Sequence, residues 1–172
     1  PRKIEHVLKS GQSVLVQVTK DPIGQKGARL TSQISLPGRY LVYVPGGGMS
    51  GISRRLPDNE RNRLKSILKN LIPEQAGVII RTAAEGASET DLEADVSRLK
   101  VQWEDIDKQA NNSATSAPSL LYSEPDLTVR VIRDIFNEDF NKMLVQGDQA
   151  WDDIQNYIGH IAPELASKIE KW

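Results

Sequence analysis

Apolar and polar positions alternate along residues 12–19, with Val14, Val16 and Val18 on one side, and a second strand-like run follows at 28–35. A period of two predicts strands. Between them Pro22, Gly24 and Gly27 supply turn chemistry, so the pair predicts a β-hairpin with a long basic tip carrying Lys20, Lys26 and Arg29. A third strand is expected at 40–44, followed by a glycine-rich loop at 45–51. The period then changes. Leu64, Ile67, Leu68 and Leu71 form one stripe of a helix expected over 59–70, with Asp58 as its N-cap and Pro73 as its stop. The nearly all-apolar run at 77–82 predicts a central, buried strand. Ser88 and Asp91 resemble a capping box for a helix reaching about Ala110. Its seam, Leu92, Val96, Leu99, Trp103, Ile106 and Ala110, suits packing on the domain's own sheet better than a coiled-coil contact.

Residues 111–118 are small and polar and form the best boundary. Beyond them Asp126 caps a helix expected to reach Phe136, with Val129, Ile132, Arg133 and Phe136 near one face. A strand is expected at 141–146. Asp148 then caps a helix with Trp151, Ile154, Ile158 and Ile161 inward, broken by Pro163. No repeat is visible. The class is α+β or mixed α/β: a small β-rich start, a sheet with packed helices, and a helix-rich end.

Composition narrows the chemistry. The 172 residues are 38% hydrophobic and 26% charged, as in a soluble globular protein of one or two domains. No cysteine is present, which excludes disulfides, zinc thiolate sites and cysteine nucleophiles, and only His6 and His160 could serve a histidine site. No apolar run approaches a bilayer span or a signal peptide. The chain opens on Pro1 rather than methionine, as a processed or excised piece would. The net charge of −1 hides an asymmetry: residues 1–82 carry 14 Lys and Arg against 5 Asp and Glu, and residues 83–172 carry 8 against 18. Either the basic half attracts phosphate, as in nucleic-acid binding, or the two halves neutralise each other across a contact.

Arg81-Thr82 ends the central strand and places a guanidinium and a hydroxyl at one sheet edge. Both suit a terminal phosphate, with the amides of Ala83 and Ala84 as further donors, although Arg81 could equally pair with Glu85 or the acidic half. Arg54-Arg55 is a second donor pair. The loop at 45–51 lacks the spacing of a P-loop or dinucleotide fingerprint and is expected to be a connection. The acidic groups Asp91, Glu93 and Asp95; Glu104, Asp105 and Asp107; Glu138 and Asp139; and Asp152 and Asp153 are expected to be solvated helix faces. Asp126, Asp134 and Asp139 are the least implausible metal ligands, yet no fixed magnesium constellation is apparent.

The runs Gly27-Ala-Arg-Leu-Thr31, Ser35-Leu-Pro-Gly-Arg-Tyr-Leu-Val42, Gly51-Ile-Ser-Arg-Arg55 and Val78-Ile-Ile-Arg-Thr-Ala83 together resemble the ribonuclease E/G family, in order and spacing. Val131-Ile-Arg-Asp134 and Phe136-Asn-Glu-Asp-Phe140 resemble its actinobacterial branch. The resemblance covers essentially the whole chain. It implies the closing part of an OB-type RNA-binding domain at 1–32, a 5′-sensor domain at 33–117 and part of an RNase H-like subdomain at 118–172. It implies 5′-monophosphate contacts at Arg81, Thr82 and Arg54, main-chain neighbours of the terminal nucleotide at Gly38 and Val42, and an RNA-contacting Lys26. The family's magnesium-holding catalytic aspartates and its zinc-linking Cys-Pro-x-Cys motif have no counterpart here. Magnesium and structural zinc are therefore expected of the parent enzyme, and no cofactor of this segment.

Three functions compete. The first is the regulatory, RNA-binding portion of a cytoplasmic, homo-oligomeric endoribonuclease of RNA processing and decay, with single-stranded 5′-monophosphorylated RNA and RNA-degradation proteins as its partners. A pocket too tight for extra charge and volume would then reject a triphosphate. The second is a general RNA-binding or assembly module without 5′-end specificity. The third is a small-molecule phosphate enzyme, weakened by the lack of an acid-base pair or nucleophile beside Arg81.

Overall fold

The structure is a computed structural model. It describes residues 3–172 apart from Pro125, Glu138 and the side chains of His160 and Ile161. The expectations for Pro1, for Glu138 in an acidic pair and for Ile161 as an inward residue lie outside the described residues.

The architecture is mixed α+β. Three small sheets form, the largest ordered β3-β4-β6-β5 from Leu36–Pro37 (β3), Leu41–Val44 (β4), Gly51–Ile52 (β5) and Gly77–Ile80 (β6). β6 is an interior strand, antiparallel to β4 with Leu41 opposite Ile80, and parallel to β5 with Ile52 opposite Ile80. Its apolar run thus finds cover, as expected. The strand stops at Ile80, two residues early. The Arg81 carbonyl accepts from the amide of Ala84, which turns the chain into a 3₁₀ turn over Thr82–Ala84. Helix α1 (Asp58–Leu71) joins β5 to β6 and buries Leu64 and Leu68. Pro57, not Asp58, takes its N-cap position, with the extended backbone that proline presets.

Helix α2 (Glu89–Ala110) starts in a reciprocal capping box of Ser88 and Asp91, the expected one. Leu92, Val96, Leu99 and Ile106 are buried against β3, β4 and α1. The seam therefore packs on its own sheet. Each fully buried leucine there contributes about 1.5–3 kcal/mol. The glycine loop packs on the backbone before β6: a Cβ on Gly77 would collide with the Met49 carbonyl, and one on Gly47 with the Gln75 carbonyl.

Two further regions flank this core. The hairpin pairs β1 (Gln17–Lys20) with β2 (Arg29–Thr31) and buries none of its residues. Both strands are shorter than the alternation predicts. The Gln17 side-chain amide bonds both the carbonyl (3.0 Å) and the N–H (2.8 Å) of Ser35, where a strand partner would have been expected. The C-terminal region packs Ile132, Phe136, Val145, Ile154, Ile158, Leu165 and Ile169 into a second core. These come from α3 (Leu127–Asp134, two residues short of the expected end, so that Phe136 lies just past it), β7 (Met143–Val145), α4 (Asp148–Ile161), a 3₁₀ turn at Pro163–Lys168, and β8 (Ile169–Lys171), which pairs in parallel with β7. Asp126 caps α3 as expected. At α4 Gly147 occupies the N-cap position with φ +101°, and the Asp148 carboxylate turns to Lys171. No helix among the described residues is long and apolar enough to cross a membrane.

Candidate functional site

The ends of β5 and β6 open into a shallow depression of about 520 Å³, lined by Ser53, Arg81, Thr82, Ala83 and Asp134 around the strand ends. The sheet builds it. Ser53 donates its N–H to the Ile80 carbonyl (3.0 Å), and Arg81 donates its N–H to the Tyr40 carbonyl (2.9 Å). Both main chains are thereby clamped where their side chains leave the sheet. The hydroxyls of Ser53 and Thr82 lie 2.8 Å apart. The Arg81 guanidinium donates from Nη1 to the Gly38 carbonyl (2.6 Å) and from Nη2 to Asp134 Oδ1 (2.8 Å). Its remaining N–H groups, with two adjacent hydroxyls, make a donor-rich patch that suits a phosphate-sized anion. Ala84 is not part of it, because its amide is bonded to the Arg81 carbonyl.

A second layer fixes the Gly38 carbonyl. Asp95, 5% exposed, accepts the N–H of Arg39 (3.1 Å), the N–H of Tyr40 (3.0 Å) and Nη2 of Arg98 (2.9 Å). Gly38 lies so close to this carboxylate that a Cβ would stand 2.5 Å from Oδ2. A glycine is required there for packing. The Arg39 guanidinium reaches out to Glu164. On the far side, Glu60 grips Arg63 with both oxygens (2.6 and 2.8 Å) and accepts the N–H of Gly86, while Arg63 donates to the Ala87 carbonyl. Those bonds tie down the loop after Thr82. The Arg63 hydrogen bond, then the Gly86 amide, hold the Glu60 carboxyl down at about 2.

Asp134 is held by its neighbour as well. Arg133 donates Nε and Nη2 to its two oxygens, both at 3.0 Å, and the Arg133 side chain is only 8% exposed. Partial burial disfavours the charged carboxylate, but the hydrogen bonds from Arg133 and Arg81 together outweigh it and keep the carboxyl below its ordinary value.

The structure brings Gly38, Arg81 and Thr82 together. It leaves the Arg54 side chain outside the depression: Ser53 takes the inward position, and Arg54 is exposed beside it. Val42 sits one strand away, opposite Ile79, and does not line the depression. Lys26 is exposed in the hairpin turn, bonded through its backbone to Ile23. Four contributors escaped sequence reasoning: Ser53, Glu60, Asp95 and Asp134 in this role. Asp95 was expected on a solvated face and is instead buried. It follows Leu92 by three residues and precedes Leu99 by four, so its helical phase was the available signal.

The two charge halves meet at Arg81–Asp134, in the depression, and at Arg39–Glu164, while Arg61 and Arg63 pair within the basic half. Among the described residues no group of three or more acidic or histidine side chains could hold a metal. Asp126 is used as a helix cap and Asp134 as an arginine partner.

A basic edge of this kind on a mixed sheet defines a candidate anion-binding domain, and comparison with known proteins supplies the lineage. The model of the "Ribonuclease E/G family" matches residues 35–172. Ribonuclease G of Escherichia coli is 38% identical over 172 residues, which is 99% of this chain and 35% of that protein. Ribonuclease E of a Nostoc species is 40% identical over 156 residues, 90% of this chain and 22% of that protein. Ribonuclease E of Haemophilus influenzae is 38% identical over 171 residues, 98% of this chain and 18% of that protein. The chain belongs to the ribonuclease E/G family. It spans about a third or less of the length of these bacterial relatives.

Proposed function

We propose that this chain is the 5′-end-reading, RNA-binding part of an endoribonuclease that acts on single-stranded RNA in bacterial RNA processing and decay. The observation that carries this reading is the donor cluster at the end of β6. Arg81, Thr82 and Ser53 converge there in an open depression, in a chain of this family. A 5′-monophosphate takes the free N–H edge of Arg81 and the two hydroxyls. Gly38 and Asp95 act earlier in the chain of contacts, by holding the guanidinium in place before RNA arrives. Such preorganisation lets binding energy at the RNA end position the body of the strand at a reaction centre elsewhere in the enzyme. The exposed cations of the hairpin and of Arg54-Arg55 follow the RNA backbone without reading sequence.

Magnesium chemistry belongs to the whole enzyme. Asp126 and Asp134 are spent on a cap and on ion pairs, no three described carboxylate or histidine side chains gather, and a chain without cysteine offers no thiolate to zinc, so the described residues do not fit either metal. Phosphodiester cleavage is assigned to parts of the enzyme outside this chain, as are its homo-oligomeric assembly and its contacts with other RNA-degradation proteins.

The test compares three RNAs of one sequence carrying a 5′-monophosphate, 5′-hydroxyl or 5′-triphosphate. Preferential binding of the monophosphate, reduced by Thr82→Val and largely lost in Arg81→Ala, is expected. Equal affinity for the monophosphate and hydroxyl forms would instead favour a general RNA-binding module.

A further inference from the structure

The depression is open, so volume alone does not exclude a longer phosphate chain. Rejection of one must come from charge, and the wall already carries one. We propose that Asp134 is the specificity-determining residue of this site, a resident carboxylate that admits a monophosphate beside Arg81 and repels the higher charge of a triphosphate. This rests on the phosphate-binding reading above and goes further by assigning the discrimination to one residue.

Three observations support it. Asp134 lines the same depression as Ser53, Arg81 and Thr82. It contacts Arg81 directly, at 2.8 Å, so an anion on the guanidinium lies within a few ångströms of a second negative charge. It is also fixed. Both of its oxygens are taken by Arg133, whose guanidinium is itself nearly buried and lies 3.7 Å from Glu124. A carboxylate gripped in this way by its own neighbour stays when the phosphate arrives. It remains ionised at neutral pH, because the two arginines outweigh its partial burial. Arg81 and Asp134 therefore form a matched pair, one attracting the first phosphoryl group and the other penalising each further charge. The cost falls on added charge rather than on added bulk, and for two extra charges at this range near the surface it is worth roughly a fivefold difference in affinity.

The experiment uses the full chain and the same three RNAs, at fixed magnesium-free ionic strength. Asp134→Asn keeps an oxygen for Arg81 and removes the charge. The expected result is that affinity for triphosphorylated RNA rises by about fivefold more than affinity for monophosphorylated RNA, with the hydroxyl form unchanged. An unchanged ratio of monophosphate to triphosphate affinity in Asp134→Asn overturns the proposal, provided the wild-type chain still prefers monophosphate to hydroxyl. A collapse of monophosphate binding in a folded Asp134→Asn overturns it too, because the residue would then act only as a brace for Arg81. Loss of the wild-type monophosphate preference itself strikes the underlying phosphate site rather than the assignment of Asp134, and takes the proposal with it. A second measurement needs no variant. In the wild-type chain the gap between monophosphate and triphosphate should narrow as salt screens the carboxylate, whereas a gap that stays constant or widens contradicts a charge-based filter.

Discussion

The hairpin alternates apolar and polar residues whereas β4 and β6 are apolar almost throughout, and the two regions end in opposite physical states. In β4 and β6, Leu41, Tyr43, Val44 and Ile80 are all buried, and Leu41, Tyr43 and Ile80 share one core with residues of α1 and α2. In and around β1 and β2, Val14, Val16, Val18 and Leu30 remain exposed. A strand pattern states which side could be buried, and only a packed neighbour buries it. The difference matters for function. On the proposed function, a pocket that must hold a guanidinium to within a fraction of an ångström belongs on the packed sheet, whereas backbone contacts to RNA would tolerate the looser hairpin.

Cutting into the two regions should give very different results. Leu99→Ala, at a fully buried position facing the sheet, should cost about 2–5 kcal/mol, measured by urea denaturation. Val18→Ala, 54% exposed on the hairpin, should stay within about 0.5 kcal/mol. Equal losses would mean that the hairpin packs in solution as tightly as the sheet.

Next in size comes the layer behind the pocket. Asp95→Ala strands two amides and the Arg98 guanidinium and should cost about 3 kcal/mol. It should also weaken monophosphate binding by loosening Gly38. Asp95→Asn keeps one oxygen and should cost less. A protein that kept its full thermal stability as Asp95→Ala would show that this carboxylate is no brace.

Acid offers a smaller probe of the far side, where Glu60 ties down the loop after Thr82. The folded-state value of Glu60, about 2, lies below its ordinary 4.5, so the unfolded chain takes up the proton first. Its stabilising share is complete above about pH 4.5 and is lost as pH falls toward 2. Stability profiles of the wild type and Glu60→Gln should therefore converge in acid, and parallel curves from pH 6 to pH 2 would refute the clamp.

Legibility followed the same division. The helices, the buried central strand and the capping box of α2 were readable because each depends on local spacing. Arg81 and Thr82 could be singled out as neighbours in sequence at the end of an apolar strand. Asp134 was legible only as a candidate metal ligand and not as part of this site, since its partner lies 53 residues earlier and only the Arg81–Asp134 contact in the folded chain unites them. The length of β1 escaped for a similar reason: a side-chain amide, Gln17, took over backbone pairing at Ser35. Arg54 shows the limit from the other side. The resemblance implied a phosphate contact there, and a single-residue change of face puts Ser53 rather than Arg54 in the lining of the depression.

The smallest expected effect lies at the hairpin tip. Lys26→Ala should leave the monophosphate preference intact and make the salt dependence of RNA binding shallower by about 0.7 in log–log slope, the share of one phosphate contact on a single strand. A change in 5′-end preference would move Lys26 into the pocket's own chemistry.

The most direct measurement of the central claim is the ratio of affinities for 5′-monophosphorylated and 5′-hydroxyl RNA of one sequence, in the wild-type chain and in Arg81→Ala. A charged hydrogen bond of this kind contributes roughly 1.5–3 kcal/mol, so the wild-type ratio should exceed about ten and fall close to one in the variant. A ratio near one in the wild type, or a high ratio that survives the loss of Arg81, would contradict the account.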